Sequence, residues 1–171
     1  MNEENQIITD KASVDVETLV IPTKKTYTVI FDLDGTLALI DHRRHLVTGK
    51  NKNWDEFYLA CTDDKPNEPI IRICNLLADA GYKIRILSGR GFIAVDKTLG
   101  WLYNNKVKFD SIWMRDFDDF TPDEELKKQW LNKIRIEYGE DVVFVFDDRN
   151  KVVDMWRDEG LTCLQVAKGD F

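Results

Sequence analysis

Asp32-Leu33-Asp34-Gly35-Thr36 sets two carboxylates two residues apart, directly after the apolar run Tyr27-Thr28-Val29-Ile30-Phe31. A glycine stands where the chain must turn sharply. Further along come Ser88-Gly89-Arg90, Lys127 and Asp147-Asp148. Each is weak evidence alone: an acidic turn, a common Ser-Gly-Arg turn, a helix lysine, a solvated acidic pair. Taken in this order they form a set able to transfer a phosphoryl group. Asp32 is the candidate nucleophile, attacking phosphorus to give an aspartyl-phosphate. A carboxylate approaching an anionic phosphate needs a counter-charge, and the oxygen donors that magnesium prefers are at hand. These are Asp32, the backbone carbonyl of Asp34, and at least one of Asp147 and Asp148. The Asp34 carboxylate is then left to protonate the leaving oxygen and afterwards to activate water. Ser88 is placed to hydrogen-bond a phosphoryl oxygen, and Lys127 to balance charge on the transferring group.

Rival chemistries fail on detail. A calcium loop beginning at Asp32 would need a glutamate at its twelfth position, where Arg43 stands. A receiver-type phospho-switch also uses an acidic cluster, a hydroxyl and a lysine, but there the acidic pair comes first and the lysine last. Here Lys127 precedes Asp147-Asp148, and Asp34 adds an acid–base group. Two histidines and three well-separated cysteines (Cys61, Cys74, Cys163) argue against zinc or a disulfide framework and point to reduced thiols. A P-loop is missing: Gly49-Lys50 has Arg44 at the required glycine position and is followed by Asn51, so no kinase activity is expected. The net charge of −7 excludes a protein that coats nucleic acid, because such binding comes largely from phosphate neutralisation. A few local arginines would suffice for a strand end or a nucleotide. The acidic N-terminus is unlike a signal or transit peptide, and no apolar run is long enough to span a membrane, so a cytoplasmic protein is expected.

The elements that must position these residues follow from periodicity. Strands are expected at Tyr27–Phe31, Lys83–Leu87, Ser111–Met114, Val142–Phe146 and Thr162–Val166. Helical spacing separates them: Ile70 to Leu77 with a stop at Gly81, a segment through Trp101-Leu102, one carrying Leu126, Trp130, Leu131 and Ile134, and one with Val152, Val153 and Trp156 ended by Gly160. Thr121-Pro122-Asp123-Glu124 reads as a capping box with proline at the first helical position. Strands alternating with helices imply an α/β fold, an open parallel sheet of about five strands with helices on both faces. Ligands in such sheets bind beyond the carboxyl ends of the strands, where Asp32, Ser88 and Asp147-Asp148 all fall. Residues 1–25 read as a polar tail or short edge strand, and 26–171 as one domain. The stretch Leu39–Lys65 is too short for a large cap. Trp54 and Phe57 within it either stack on a base or pack the start of a helix.

The ordered set resembles the haloacid dehalogenase (HAD) superfamily of phosphatases across about residues 27–171. More narrowly, Phe146-Asp147-Asp148-Arg149 with Val152 to Arg157, the closing Gln165-Val166-Ala167-Lys168-Gly169-Asp170-Phe171, Asp63 to Pro69 and Leu87-Ser88-Gly89-Arg90 resemble the 3′-phosphatase domain of phage polynucleotide kinase-phosphatases. The resemblance implies a magnesium-dependent phosphate-monoesterase with a HAD-like fold and a small or absent cap. It also implies a nucleic-acid 3′ end as substrate, and host cytoplasm as the location if the chain is phage-encoded. Arg43, Arg90 and Asp123 match family positions, and with Thr36 and Gly89 they make up the expected substrate-binding set. One departure is Thr121, where relatives often carry an arginine between two aspartates. Losing it removes a bidentate contact and bears on substrate preference. A nucleotidase acting on nucleoside monophosphates is the alternative.

Overall fold

The computed structural model describes residues 27–169. The expected tail at 1–25 and the last two residues of the closing motif lie outside them. Residues 27–169 form seven strands and five α-helices. The main sheet is built from β1 (Tyr27–Phe31), β4 (Lys83–Gly91), β5 (Ser111–Arg115), β6 (Asp141–Arg149) and β7 (Thr162–Gly169). All its pairings are parallel, in the order β5-β4-β1-β6-β7. Side chains of β1 alternate between two cores, as strand geometry requires. Val29 and Phe31 face one side with Ile71 and Cys74 of α2 (Glu68–Asp79) and Trp101 and Leu102 of α3 (Val95–Asn104). Ile30 faces the other, with Leu126, Trp130 and Leu131 of α4 (Asp123–Ile136) and Val152, Val153 and Trp156 of α5 (Asn150–Asp158). The Phe31 and Phe146 rings stack at 4.5 Å across β1 and β6. Both faces of the sheet are therefore covered, as the alternating pattern implied.

The chain lays down β4 and β5 on one side of β1, then crosses to lay down β6 and β7 on the other. This reversal opens a crevice at the carboxyl end of β1, where Asp32 begins. Strands β4, β6 and β7 run past their expected ends, to Gly91, Arg149 and Gly169. The apolar runs end earlier, whereas the polar residues beyond them remain in strand with register shifts at Ser88/Gly91 and Asp147/Arg149. Such irregularities re-aim side chains at a strand end.

Between β1 and α2 lies a small helical insert, closed at its base by the antiparallel pair β2 (Ala38–Leu39) and β3 (Lys65–Pro66). It holds 3-10 turns at Arg44–Val47 and Ala60–Asp63 and α1 (Trp54–Leu59). The capping box expected at Thr121 does not form: Pro122 is the N-cap, with no side-chain hydrogen bond. Thr121 instead gives its amide and hydroxyl to Asp119. A reciprocal cap occurs at α1, where Asn53 accepts from the Glu56 amide at 3.2 Å and donates to its carboxylate at 2.8 Å. The three cysteines are buried and free. Among the described residues no helix is long and apolar enough to cross a membrane.

Candidate active site

Asp32, the first residue past β1, is anchored by its amide to the Phe146 carbonyl at 2.9 Å. Its carboxylate meets those of Asp147 and Asp148 at the end of β6, with one oxygen of each within 4.8 Å of the others. Lys127, from the second turn of α4 and 1% exposed, reaches into the group. Its ammonium donates to Asp32 Oδ1 at 2.7 Å and to Asp147 Oδ2 at 3.0 Å, and lies 3.5 Å from Asp123. Asp147 is further held by the Trp156 indole N–H at 3.1 Å and the Arg149 amide at 3.2 Å. Asp148 has no such partners: its carboxylate accepts from its own amide and, among the described residues, from no side chain.

Three buried carboxylates against one ammonium leave two negative charges. Burial pushes the Asp32 carboxyl well up, with Asp147 and Asp148 adding to the effect against Lys127. Burial and Asp147 push Asp148 up to about 7. For Lys127, burial opposes the charge, but Asp123, Asp147 and Asp32 override it and hold the ammonium well above its usual range. The donor set suits a hard divalent cation, which needs clustered carboxylate oxygens and offsets two charges. Gly35 supplies the space. It has φ +95°, and a Cβ there would lie 2.2 Å from Asp148 Oδ2. Any side chain would strain the turn and displace the least restrained carboxylate.

Asp34 lies outside this group. Its carboxylate accepts from Arg43 Nη2 at 2.6 Å and from Arg90 through Nη2 and Nε. Burial pushes it up, but Arg90 and Arg43 outweigh burial and hold it below the usual carboxylate range. Both arginines also grip Asp64: Arg43 through Nε and Nη2, each at 2.6 Å, and Arg90 through Nη2 at 3.2 Å. The remaining nitrogens reach the Phe57 carbonyl and the Thr98 hydroxyl. Both side chains are buried, and only Arg90 lines the cavity. The structure thus gives these arginines carboxylate partners within the protein, where the sequence reading assigned them to substrate. Phe57 is also buried, 4.2 Å under the Arg43 guanidinium, so it packs and is not free to stack on a base.

The cavity above Asp32 measures about 540 Å³. Asp32, Asp34, Gly89, Arg90, Asp123 and Lys127 all contribute to its wall. Gly89 lets the start of α4 come close, since a Cβ there would lie 2.2 Å from Asp123 Oδ1. Ser88 is fully buried, its hydroxyl accepting from the Arg90 amide at 3.2 Å. Thr36 is buried too, its hydroxyl without a partner and its carbonyl taking the Asn67 amide group at 2.9 Å. Neither side chain belongs to the cavity wall.

Three residues absent from the sequence reading of the site emerge. Asp64 is the shared acceptor of both arginines; the Asp63 to Pro69 segment had drawn notice as a likeness, without a role for this carboxylate. Trp156, which marked only a helical period, donates to Asp147. Arg115, at the end of β5, donates to the Gly89 carbonyl at 3.0 Å, to the Asp119 and Thr121 carbonyls, and weakly to Asp123 Oδ1 at 3.4 Å. It ties together three segments around the cavity, and no motif marks it.

The family model for the polynucleotide kinase PNKP phosphatase domain matches residues 26–171. A candidate bifunctional polynucleotide kinase/RNA ligase of Autographa californica nuclear polyhedrosis virus is 34% identical over 133 residues, covering 76% of this chain and 18% of the viral protein. Solved structures of the Pnkp1/Rnl/Hen1 complex include a chain 35% identical with a TM-score of 0.75, covering 87% of this chain and 48% of that one. The chain thus spans about half the length of that solved relative and a smaller part of the viral one. The class C acid phosphatase of Bacillus anthracis shares the fold, with a TM-score of 0.63 at 15% identity, covering 87% of this chain and 69% of the other. The chain belongs to the family of polynucleotide kinase PNKP phosphatase domains, and it is a phosphatase of the HAD type.

Proposed function

We propose that the protein is a magnesium-dependent polynucleotide 3′-phosphatase working through an aspartyl-phosphate on Asp32. The observation that carries this reading is the grouping of Asp32, Asp147 and Asp148 around Lys127 in the wall of a cavity, in a chain of this family. Asp32, the Asp34 carbonyl, Asp147 and Asp148 would hold Mg²⁺. When bound, it offsets the charge of nucleophile and phosphate and orients the phosphoryl oxygens. An Asp32 carboxylate oxygen attacks phosphorus, forming a new O–P bond as the bond to the 3′ oxygen breaks. The Asp34 carboxyl gives its proton to that leaving oxygen. Water then attacks phosphorus, Asp34 takes its proton, and the Asp32 O–P bond breaks to release phosphate. Arg43 and Arg90 hold Asp34 ionised in the resting protein, which suits the second step. The first step requires the proton on Asp34, against the pull of the two arginines. Lys127 balances the charge growing around Asp32, and Asp123 with Gly89 shapes the wall. Ser88 and Thr36 support the loops from within.

Support for a strand end as substrate comes from the family and from relatives within an RNA repair complex. The small insert, which leaves the cavity open to a bulky substrate, adds to it. The test is a side-by-side assay with Mg²⁺ of a 3′-phosphorylated oligonucleotide, a 5′-phosphorylated one, and free 3′- and 5′-nucleoside monophosphates. The 3′-phosphorylated strand should be hydrolysed fastest. Preference for free 5′-monophosphates would make the protein a nucleotidase instead.

A further inference from the structure

The chemistry at Asp32 makes no use of the apolar surface around the cavity mouth. Phe92, Phe117, Phe120 and Trp54 line this opening, yet they are 44, 61, 89 and 41% exposed. Phe92 follows β4, Phe117 and Phe120 follow β5, and Trp54 opens α1. The Phe92 and Phe117 rings meet edge to face at 5.7 Å, and Trp54 and Tyr58 lie 5.9 Å apart. Exposed aromatics gathered at one opening mark a binding surface.

The charges at this mouth say how a ligand is held. The loop after β5 reads Asp116-Phe117-Asp118-Asp119-Phe120, so aromatics alternate with carboxylates. From Asp116 to Thr121 this loop has no cation of its own. Arg115, which ends β5, spends its guanidinium on the Gly89, Asp119 and Thr121 carbonyls, stapling the loop in place. The cations at this opening, Lys52 at 5.5 Å from the Trp54 ring centroid and Arg149 at 3.7 Å from Asp123, are outnumbered by Asp55, Asp116, Asp118 and Asp119, so the rim disfavours a phosphate backbone laid along it but offers aromatic faces to uncharged bases.

We infer that the mouth is a stacking subsite for the unpaired 3′-terminal bases of a nucleic-acid strand, held by Phe117, Phe92 and Trp54 with few phosphate contacts. This rests on the 3′-phosphatase reading above and deepens it. A cavity of about 540 Å³ is of small-ligand size, so it takes the end of a strand and not a length of duplex.

The test compares kcat/KM on a 3′-phosphorylated single strand with that on the same strand lacking its terminal base. Glycerol 2-phosphate serves as a small ester without a base. Wild-type protein should prefer the base-bearing end, and Phe117→Ala should cut that preference by about five- to 150-fold, chiefly through KM, while Phe117→Tyr keeps it. Raising salt from about 50 to 200 mM should lower kcat/KM on the strand by less than about ten-fold. A preference unchanged in Phe117→Ala, or a fall of a thousand-fold or so with salt, overturns the stacking subsite alone. Wild-type protein that cleaves glycerol 2-phosphate but no strand overturns the 3′-phosphatase reading and this inference with it.

Discussion

Replacing Lys127 by methionine should lower stability and turnover but tighten Mg²⁺ binding. The side chain is 1% exposed, with its ammonium 2.7 Å from Asp32, 3.0 Å from Asp147 and 3.5 Å from Asp123. Methionine fills much of the same volume and removes the charge. Without metal, Asp32 and Asp147 lose the ammonium they share, and breaking a pair of this kind costs about 3–5 kcal/mol. That is a large part of a typical stability of roughly 5–15 kcal/mol. Mg²⁺ binding should move the other way. A unit positive charge about 5 Å from a divalent ion costs it about 1.7 kcal/mol even at the water-like limit of ε ≈ 80. Removing that charge should therefore tighten Mg²⁺ binding by more than about ten-fold. Turnover should nevertheless fall by about 10²–10³-fold, because the growing charge on the phosphoryl group is no longer balanced. Urea unfolding in chelator, calorimetric titration with Mg²⁺ and a phosphatase assay read the three effects separately. Unchanged stability together with weaker Mg²⁺ binding would refute the electrostatic reasoning.

Gly35→Ala should leave the fold intact but weaken Mg²⁺ binding and activity by at least about ten-fold, since strain of about 1–3 kcal/mol at φ +95° adds to a clash with Asp148; near-normal Mg²⁺ titration would exclude the cradle role. Asp64→Asn removes one of the two counter-ions that Arg43 and Arg90 share, the other being Asp34, so it should lower stability by about 3 kcal/mol and reduce kcat while leaving Mg²⁺ affinity nearly unchanged; a large loss of Mg²⁺ binding would show that the two charge groups are not separate. Away from the site, burial pushes the Glu140 carboxyl up, but Arg85, Lys83 and Thr28 outweigh it and hold the pKa at about 2, against the usual 4.5. Because the folded-state value is the lower one, this stability is present above pH 4.5 and lost as pH falls towards 2. Glu140→Gln should cost about 3 kcal/mol near pH 7 and much less near pH 3, measured by urea unfolding; equal costs at both would mean that the ion pair does not carry the effect.

Much of this molecule is readable from its residues. The apolar run 27–31 and the helical periods fix the layered sheet, because burial on one or both faces leaves a period that needs no partner to be seen. The strand extensions through Ser88-Gly89-Arg90 and Asp147-Asp148 are hidden, because there polar residues keep strand pairing. Asp32, Lys127, Asp147 and Asp148 were legible through their order along the chain, and they do converge. What stayed hidden are pairings set by folding alone. Asp64 meets Arg90 across 26 residues, and Arg115 spends its charge on backbone carbonyls. Thr121 seemed a capping residue because the local pattern fits, yet Asp119 captures its hydroxyl and amide. Composition and spacing carry no trace of such competition.

The central claim is that Asp32 becomes phosphorylated during turnover. The direct measurement is an acid quench of the protein while it hydrolyses a 3′-phosphorylated oligonucleotide with Mg²⁺, followed by peptide mass analysis, with Asp32→Asn as the companion variant. The account predicts one phosphoryl group on the peptide containing Asp32, and neither adduct nor turnover in the folded Asp32→Asn protein. Wild-type turnover by Asp32→Asn, or a phosphoryl group on any other residue, would contradict it.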